Sequence, residues 1–116
     1  MGFIMAGRLS ERLKSSGPSV YYSKGFRTAI EDHLLFLRNS AYTQKFSITA
    51  ILAHRHTGNF YSLLNELDIE PYLHWVYLRL NGLTTPSQYR GELSLLAPST
   101  VDIDPIKIRQ QSLQSN

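Results

Sequence analysis

The sequence lacks several features that would narrow its function. None of its 116 residues is cysteine, so it forms neither disulfides nor thiolate metal sites. No apolar run approaches the roughly 20 residues that span a bilayer. The opening MGFIMAGR reaches a charge too early for a secretory signal, and its sixth residue is not the Ser or Thr of a myristoylation motif. We therefore expect a chain made in the cytoplasm and held together by packing alone, or by packing against a partner.

Motifs that carry reaction chemistry are missing as well. No serine lies in a Gly-x-Ser-x-Gly elbow, and the glycines form no phosphate-binding pattern. Asp102 and Asp104 are close enough to pair, but they flank a Pro-containing stretch that holds catalytic geometry poorly. His54 and His56 would share one face of a strand, yet no organised set of further ligands accompanies them. The sequence predicts no enzyme, no metal site and no cofactor.

The net charge of +3 is divided unevenly along the chain. Residues 1–58 hold eight Lys or Arg against three acids, whereas residues 59–116 hold four against six. This asymmetry fits either an acidic partner or a solvated basic surface. A small nucleic-acid-binding protein is a third possibility, although the sequence lacks dense basic runs. The cations it would use are Arg8, Arg12, Lys14, Lys24 and Arg27.

The N-terminal third is predicted to be an arm followed by a helix. Residues 1–22 form the arm, and residues 23–40 form the helix, which Ser23 caps. Its apolar positions recur at helical spacing, at Phe26, Ile30, Leu34 and Leu37. Leu35 and Phe36 widen this stripe, so we expect the helix to have apolar neighbours on two sides.

The remainder is predicted to be a β-α-α-β domain over residues 46–98 with an extended tail over residues 99–116. Residues 46–53 alternate like a half-buried strand, and residues 92–97 form a second strand that ends at Pro98. Between them, apolar stripes predict helices over residues 60–67 and 71–80. Asn81-Gly82 ends the second helix, since both residues tolerate a left-handed backbone. The fold class is therefore α+β.

This ordered set of motifs resembles the LysM module. The resemblance covers residues 46–98 and is carried by three short segments: Tyr61-Ser62-Leu63-Leu64 in the first helix, Leu80-Asn81-Gly82-Leu83 at the end of the second, and Tyr89-Arg90-Gly91 leading to a strand ending in Pro98. The family's usual Gly-Asp-Thr at the start of the first helix is replaced by His56-Thr57-Gly58-Asn59. Arg90 replaces its Pro before the turn glycine.

Within that family, the aromatic second helix resembles baseplate wedge proteins of contractile-tailed bacteriophages. The resembling stretch is Leu73-His74-Trp75-Val76-Tyr77-Leu78, in which a Trp-Val pair precedes an Asn-containing end and a Pro loop. Those proteins also carry an N-terminal region before the module, and their LysM-like segment joins subunits instead of binding glycans. The resemblance implies a structural virion protein of the viral baseplate or phage tail, active in virus assembly and made in the host cytoplasm.

The candidate interface residues are aromatic or arginine. Tyr72, Trp75 and Tyr89 either anchor the helix pair or supply rigid apolar area to a partner. Tyr21, Tyr22 and Phe26 lie at the junction of arm and helix, where a small domain has few partners of its own. Arg79 and Arg90 could form bidentate contacts with carboxylates of another subunit, or remain solvated.

Two functions follow. The first is a LysM-like baseplate wedge component, present in several copies in a symmetric assembly, whose partners are other tail or baseplate proteins. It involves no membrane, and nucleic acid has no role in it. The alternative is a carbohydrate-binding LysM module that recognises N-acetylglucosamine polymers. Its sugar groove would be lined by the loops around Gly58-Asn59 and Thr84-Thr85.

Overall fold

The computed structural model describes residues 18–114, which form a mostly helical α+β domain with one two-stranded antiparallel sheet. The arm predicted over residues 1–22 lies outside the described residues up to position 17. From Ser19 to Tyr22 the chain forms a 3-10 helix. The six α-helices and two strands are, in chain order, α1 (Lys24–Asp32), α2 (Leu34–Asn39), β1 (Gln44–Ser47), α3 (Ala50–Arg55), α4 (Phe60–Glu66), α5 (His74–Leu80), β2 (Ser94–Ala97) and α6 (Thr100–Gln114).

The single helix predicted over residues 23–40 is two helices. Ser23 caps α1 as expected, because its Oγ accepts from the Phe26 N–H at 3.1 Å. His33, at φ −108° and ψ 9°, leaves the helical region and separates α1 from α2. The predicted apolar positions of both helices are nevertheless buried, which shows that the stripe continues across the break.

The strand predicted over residues 46–53 was wrong in extent. The strand covers Gln44–Ser47, and the chain then turns into α3. Thr49 starts this helix, since its Oγ1 accepts from the Leu52 N–H at 3.2 Å. The predicted alternation placed Ala50 on the same buried face as Phe46 and Ile48, but Ala50 is exposed, while Ala53 is buried. The Thr49 cap therefore starts a helix where the alternating apolar pattern had predicted that the strand continues.

The helix pair between the strands was predicted correctly. Asn59 caps α4 through a bond from the Ser62 N–H to its Oδ1 at 3.2 Å. After α4, Asp68 adopts a left-handed φ of 62°, which prevents the helix from continuing. Pro71 then opens a 3-10 turn, Pro71–Leu73, that leads directly into α5.

The two strands pair as the predicted domain requires. β1 and β2 are antiparallel, with Phe46 opposite Leu95 and Lys45 opposite Leu96. Both strands are shorter than predicted. Before β2, a 3-10 turn at Pro86–Gln88 is closed by a capping box between Thr85 and Gln88.

The predicted extended tail over residues 99–116 was wrong, because most of it is the helix α6. Ile103 and Ile106 are three residues apart, so one helical face presents both to the core. Pro105 interrupts the pattern early in the helix, where a proline removes one intrahelical bond. Packing of the apolar face against α1 outweighs that loss. No helix within residues 18–114 has the length and apolarity to span a membrane.

Two apolar cores lie side by side. The first joins the 3-10 helix Ser19–Tyr22, α1, α2, α5 and α6. The second joins α3, α4, α5, β2 and Tyr89. Leu73 and Trp75 pack against both. Since α5 contributes buried side chains to each core, it connects the N- and C-terminal helices to the predicted β-α-α-β unit.

Candidate protein-protein interface

Three of the predicted interface aromatics are core residues in this fold. Tyr21 is 6% exposed, and both Phe26 and Tyr89 are fully buried. Tyr21 packs edge-to-face against Phe26 with ring centres 5.1 Å apart, and its burial raises the pKa of its hydroxyl to about 12. The Tyr89 hydroxyl donates to the Glu92 carbonyl at 2.7 Å. Buried side chains give a partner no contact area, so these residues act by holding the domain.

The remaining predicted aromatics lie at the surface of the first core. Tyr72 is half-buried, with its ring centre 4.5 Å from that of Tyr21. Trp75 is also half-buried, and the Arg27 guanidinium lies 5.0 Å from its ring centre. Tyr22 is 49% exposed. Tyr22 is therefore the most exposed of the predicted interface aromatics.

The two predicted arginines differ in their contacts. Arg79 makes the bidentate contact expected of it, but with Glu31 of the same chain, at 2.5 and 3.1 Å. This hydrogen bonding lowers the pKa of Glu31. The third guanidinium nitrogen of Arg79, Nη1, donates to the Leu83 carbonyl at 2.6 Å. Arg79 thus fastens α1 to the end of α5, whereas Arg90 is exposed.

Asn81, predicted only as part of a helix stop, also secures the sheet. Its Nδ2 donates to the carbonyls of Tyr77, at 2.8 Å, and Leu96, at 3.0 Å, while its Oδ1 accepts from the Leu96 N–H at 2.7 Å. One side chain therefore closes α5 and pairs with the outer edge of β2 as a strand would. The two residues are fifteen apart in sequence, so no local pattern indicated this contact.

His56, at the end of α3, is part of a polar clamp between α3 and α4. Its Nε2 contacts the Glu66 carboxylate, which also accepts from Arg55, and its Nδ1 lies 2.7 Å from Ser62 Oγ. The Ser62 hydroxyl donates to the Asn59 carbonyl at 2.8 Å, so it accepts from His56. The bond from His56 lowers the pKa of Glu66.

Within residues 18–114, no group of three or more His, Asp or Glu side chains is placed to hold a metal ion.

An apolar surface that the sequence did not single out lies on α2 and the turn after it. Leu35 is 74% exposed, Phe36 58% and Tyr42 57%. The three line one groove of about 560 Å³, which Asp102 of α6 also lines. The widened stripe of α2 had predicted apolar neighbours on two sides. Within the described part of the chain, only the side that carries Leu34 and Leu37 has one.

This face, which we call the α2 groove, is the best candidate for contact with another protein. Its residues are contiguous and aromatic-rich, as at protein interfaces. Comparison with protein-family models, curated proteins and solved structures gives no match for this chain.

Proposed function

We propose that this chain is a structural component of the baseplate wedge of contractile-tailed bacteriophages, where it joins neighbouring subunits by protein-protein contacts. The observation that carries the proposal is the α2 groove, where Leu35, Phe36 and Tyr42 expose more than half of their surface. A soluble monomer rarely leaves such a group in water, and contiguous apolar patches mark interaction sites. The groove rests on a packed core, because the neighbouring Leu34 and Leu37 are buried.

The topology supports the LysM-like part of this proposal. Two short strands pair across a helix pair, and the Asn81-Gly82 stop lies at the end of α5. The short helix α3 is an addition to the β-α-α-β order, and α1, α2 and α6 form a second layer around it. In the proposed role the α+β unit is the scaffold, and the added helices carry the contact surface.

In this proposal, several copies occupy a symmetric assembly in the virion, with other tail or baseplate proteins as partners. The basic half of one subunit would face the acidic half of the next, which suits the head-to-tail contacts of a ring. Membrane and nucleic acid have no role in it.

A co-expression experiment tests the proposal. The tagged chain is expressed with the proteins encoded by the open reading frames beside its gene, and the proteins that co-purify are identified and measured. We expect a tail protein to co-purify with the parent. Leu35→Glu should lower its recovery about tenfold or more, because a charge in an apolar interface must be desolvated. Ile51→Glu is the matched control, since Ile51 is equally exposed, at 74%, but does not line the groove.

Both substitutions replace exposed side chains, so circular dichroism and thermal unfolding should match the parent. Absence of any tail protein from the parent preparation would contradict the proposal. Equal recovery with the two variants would contradict the role of the α2 groove.

A second candidate, binding of N-acetylglucosamine polymers, has one supporting contact. The Gly58 N–H donates to the Tyr89 carbonyl at 2.8 Å, which brings the turn around Gly58-Asn59 close to the segment that follows Thr84-Thr85. These are the two loops that a LysM sugar groove would use. Retention of the chain on chitin or peptidoglycan, released by soluble chito-oligosaccharide, would favour this candidate. Passage of the chain through the resin without retention would contradict this second candidate and leave the assembly role as the proposed function.

A further inference from the structure

The α2 groove is lined by a buried aspartate, one of whose carboxylate oxygens has no hydrogen-bond partner among the described residues. Asp102, in the first turn of α6, is only 8% exposed, and its Oδ2 is buried with no hydrogen-bond partner among the described residues. The other groove residues that matter here, Leu35, Phe36 and Tyr42, carry no positive charge. An ionised carboxylate loses its hydration when buried, and this costs free energy unless a cation or donors replace the water.

None of the cations on α2 and α6 lines the α2 groove. Lys107, on the same helix, pairs with Asp104 at 3.7 Å. Arg38, on α2, donates to the carbonyls of Leu80 and Arg79 at 3.1 and 2.9 Å. Arg109 lines a different cavity, on the side of α1. The described part of the chain therefore builds an apolar groove with an anionic floor and supplies no cation to it.

This chemistry fits a lysine or arginine side chain. The aliphatic stem of such a residue packs on apolar walls, while its charged end forms a charge-assisted bond with the carboxylate. Phe36 and Tyr42 add aromatic faces, which also attract cations. A purely apolar ligand would leave Asp102 unpaired, and an anion would be repelled by it.

We propose that the α2 groove of one subunit binds a basic side chain from the N-terminal segment, residues 1–17, of a second copy of the chain. That segment holds three cations, Arg8, Arg12 and Lys14, against the single acid Glu11. It also holds Phe3, Ile4 and Met5, which suit the apolar walls. A second copy as the donor rests on the proposed function, in which several copies lie side by side.

The reach of the segment allows this contact. Seventeen residues can span up to about 58 Å when extended, at about 3.4 Å per residue. Residue 18 precedes α1, whereas the groove lies beyond the end of α1, on α2. A segment of this length can reach the groove of a neighbouring copy.

Self-association of the full chain tests the inference. We expect the parent to associate in sedimentation velocity as its concentration rises. Asp102→Asn should weaken association about thirtyfold or more, because one member of a buried charge pair is lost. Asp104→Asn, on the same helix and paired with Lys107, is the matched control and should associate as the parent does. In dilute solution, Asp102→Asn should be at least as stable as the parent, since it removes an unpaired buried charge.

Cross-linking identifies the donor. A photoreactive phenylalanine replaces Tyr42 in full-length chains, which are mixed as unlabelled and ¹⁵N-labelled protein before irradiation. Cross-links between labelled and unlabelled chains that join position 42 to residues 1–17 would support the inference. Cross-links only within one chain would overturn it and assign the groove to the chain's own N-terminal segment. Cross-links to neither would also overturn it.

A complementation experiment separates the two contact partners. One full-length variant carries Asp102→Asn, and the other carries Arg8→Gln, Arg12→Gln and Lys14→Gln. Each alone should remain monomeric, whereas the mixture should form dimers, because one intact groove meets one intact basic segment. A mixture that stays monomeric would contradict the inference. These measurements need only the purified chain, so they can succeed or fail independently of co-purification with tail proteins.

Discussion

At the residue scale, the Asn81 side chain has two structural roles: it ends α5 and it bonds the backbone of β2. Its side chain is the only link by which the end of α5 bonds to the backbone of β2 within the described residues. An alanine there would leave the Leu96 N–H and carbonyl without these bonds at a half-buried edge. The signature Leu-Asn-Gly-Leu is therefore explained by two needs, a helix stop and a strand partner.

We predict that Asn81→Ala lowers the free energy of unfolding by about 2 to 4 kcal/mol, because two half-buried backbone groups lose their partners. Urea denaturation measures this change. Asn39→Ala is the matched control. Asn39 also ends a helix and bonds the carbonyl four residues earlier, that of Leu35 at 2.9 Å, but it contacts no strand. Its substitution should cost about 0.5 kcal/mol or less at this exposed site. Equal losses in the two variants would refute the strand-partner role.

His74 provides a second prediction at this scale. The ring is 6% exposed, its Nε2 lies 2.8 Å from the Ile69 carbonyl, and burial lowers its pKa below the ordinary 6.5. The folded state therefore binds fewer protons than the unfolded state near pH 6. Stability should fall as pH drops below about 6.5 and continue to fall until the folded pKa is reached.

Urea denaturation between pH 7.5 and 5 checks this dependence. His74→Gln retains a donor for Ile69 but does not titrate, so its free energy of unfolding should vary less across that range than the parent's. His54→Gln, at an exposed position, controls for loss of a histidine. A parent and a His74→Gln variant with parallel pH profiles would contradict the prediction.

At the scale of elements, the C-terminal segment is the helix α6 and not the predicted extended tail. An extended tail would contribute little to stability, whereas α6 seals the first core through Ile103 and contacts α1 along its length. Its exposed face carries Val101, Ile108 and Leu113, each more than half exposed. The segment is thus both a structural element and a further apolar surface.

We predict that Ile103→Ala lowers the free energy of unfolding by about 2 to 4 kcal/mol, since it leaves a cavity in a fully packed site. Ile108→Ala, on the same helix but 59% exposed, should change stability by about 0.5 kcal/mol or less. Chemical denaturation of the two variants gives the comparison. Similar small losses would mean that residues 100–114 do not pack on the core.

Elements also show where sequence reasoning succeeded. The cap at Ser23 and the helix stop at Asn81-Gly82 depend on residues within three positions of the backbone they serve, and the sequence predicted both. The boundary between β1 and α3 was missed. Eight residues of apolar alternation are compatible with a strand or with a strand followed by a short capped helix, and the Thr49 cap decided between them.

At the scale of the whole molecule, α5 joins two cores. It contributes Val76 and Leu80 to the first core, and Tyr77 and Leu78 to the second. A helix buried on both sides explains the nearly continuous apolar run of this segment, which a one-sided stripe would not require. The helical layer with the α2 groove therefore shares one buried helix with the α+β unit.

The candidate surface was only partly predictable. The aromatic and arginine residues were predicted to contact a partner protein. Phe26, Tyr89 and Arg79 instead make their contacts within the chain. Composition cannot distinguish a core from an interface, because both favour the same side chains. The groove required the packing of α6 beside α2, which brings Asp102 to residues sixty or more positions away in sequence.

The sequence by itself determined the α+β class, the helix caps, the pairing of two strands around a helix pair and the absence of cysteine chemistry. These properties follow from local hydrogen bonding, from the spacing of apolar residues and from composition. Only the tertiary structure decided that residues 100–114 complete a core, that Asn81 bonds a distant strand and that Asp102 is buried beside exposed aromatics. Those outcomes depend on which faces meet, and the free energy of that choice is distributed over the whole chain.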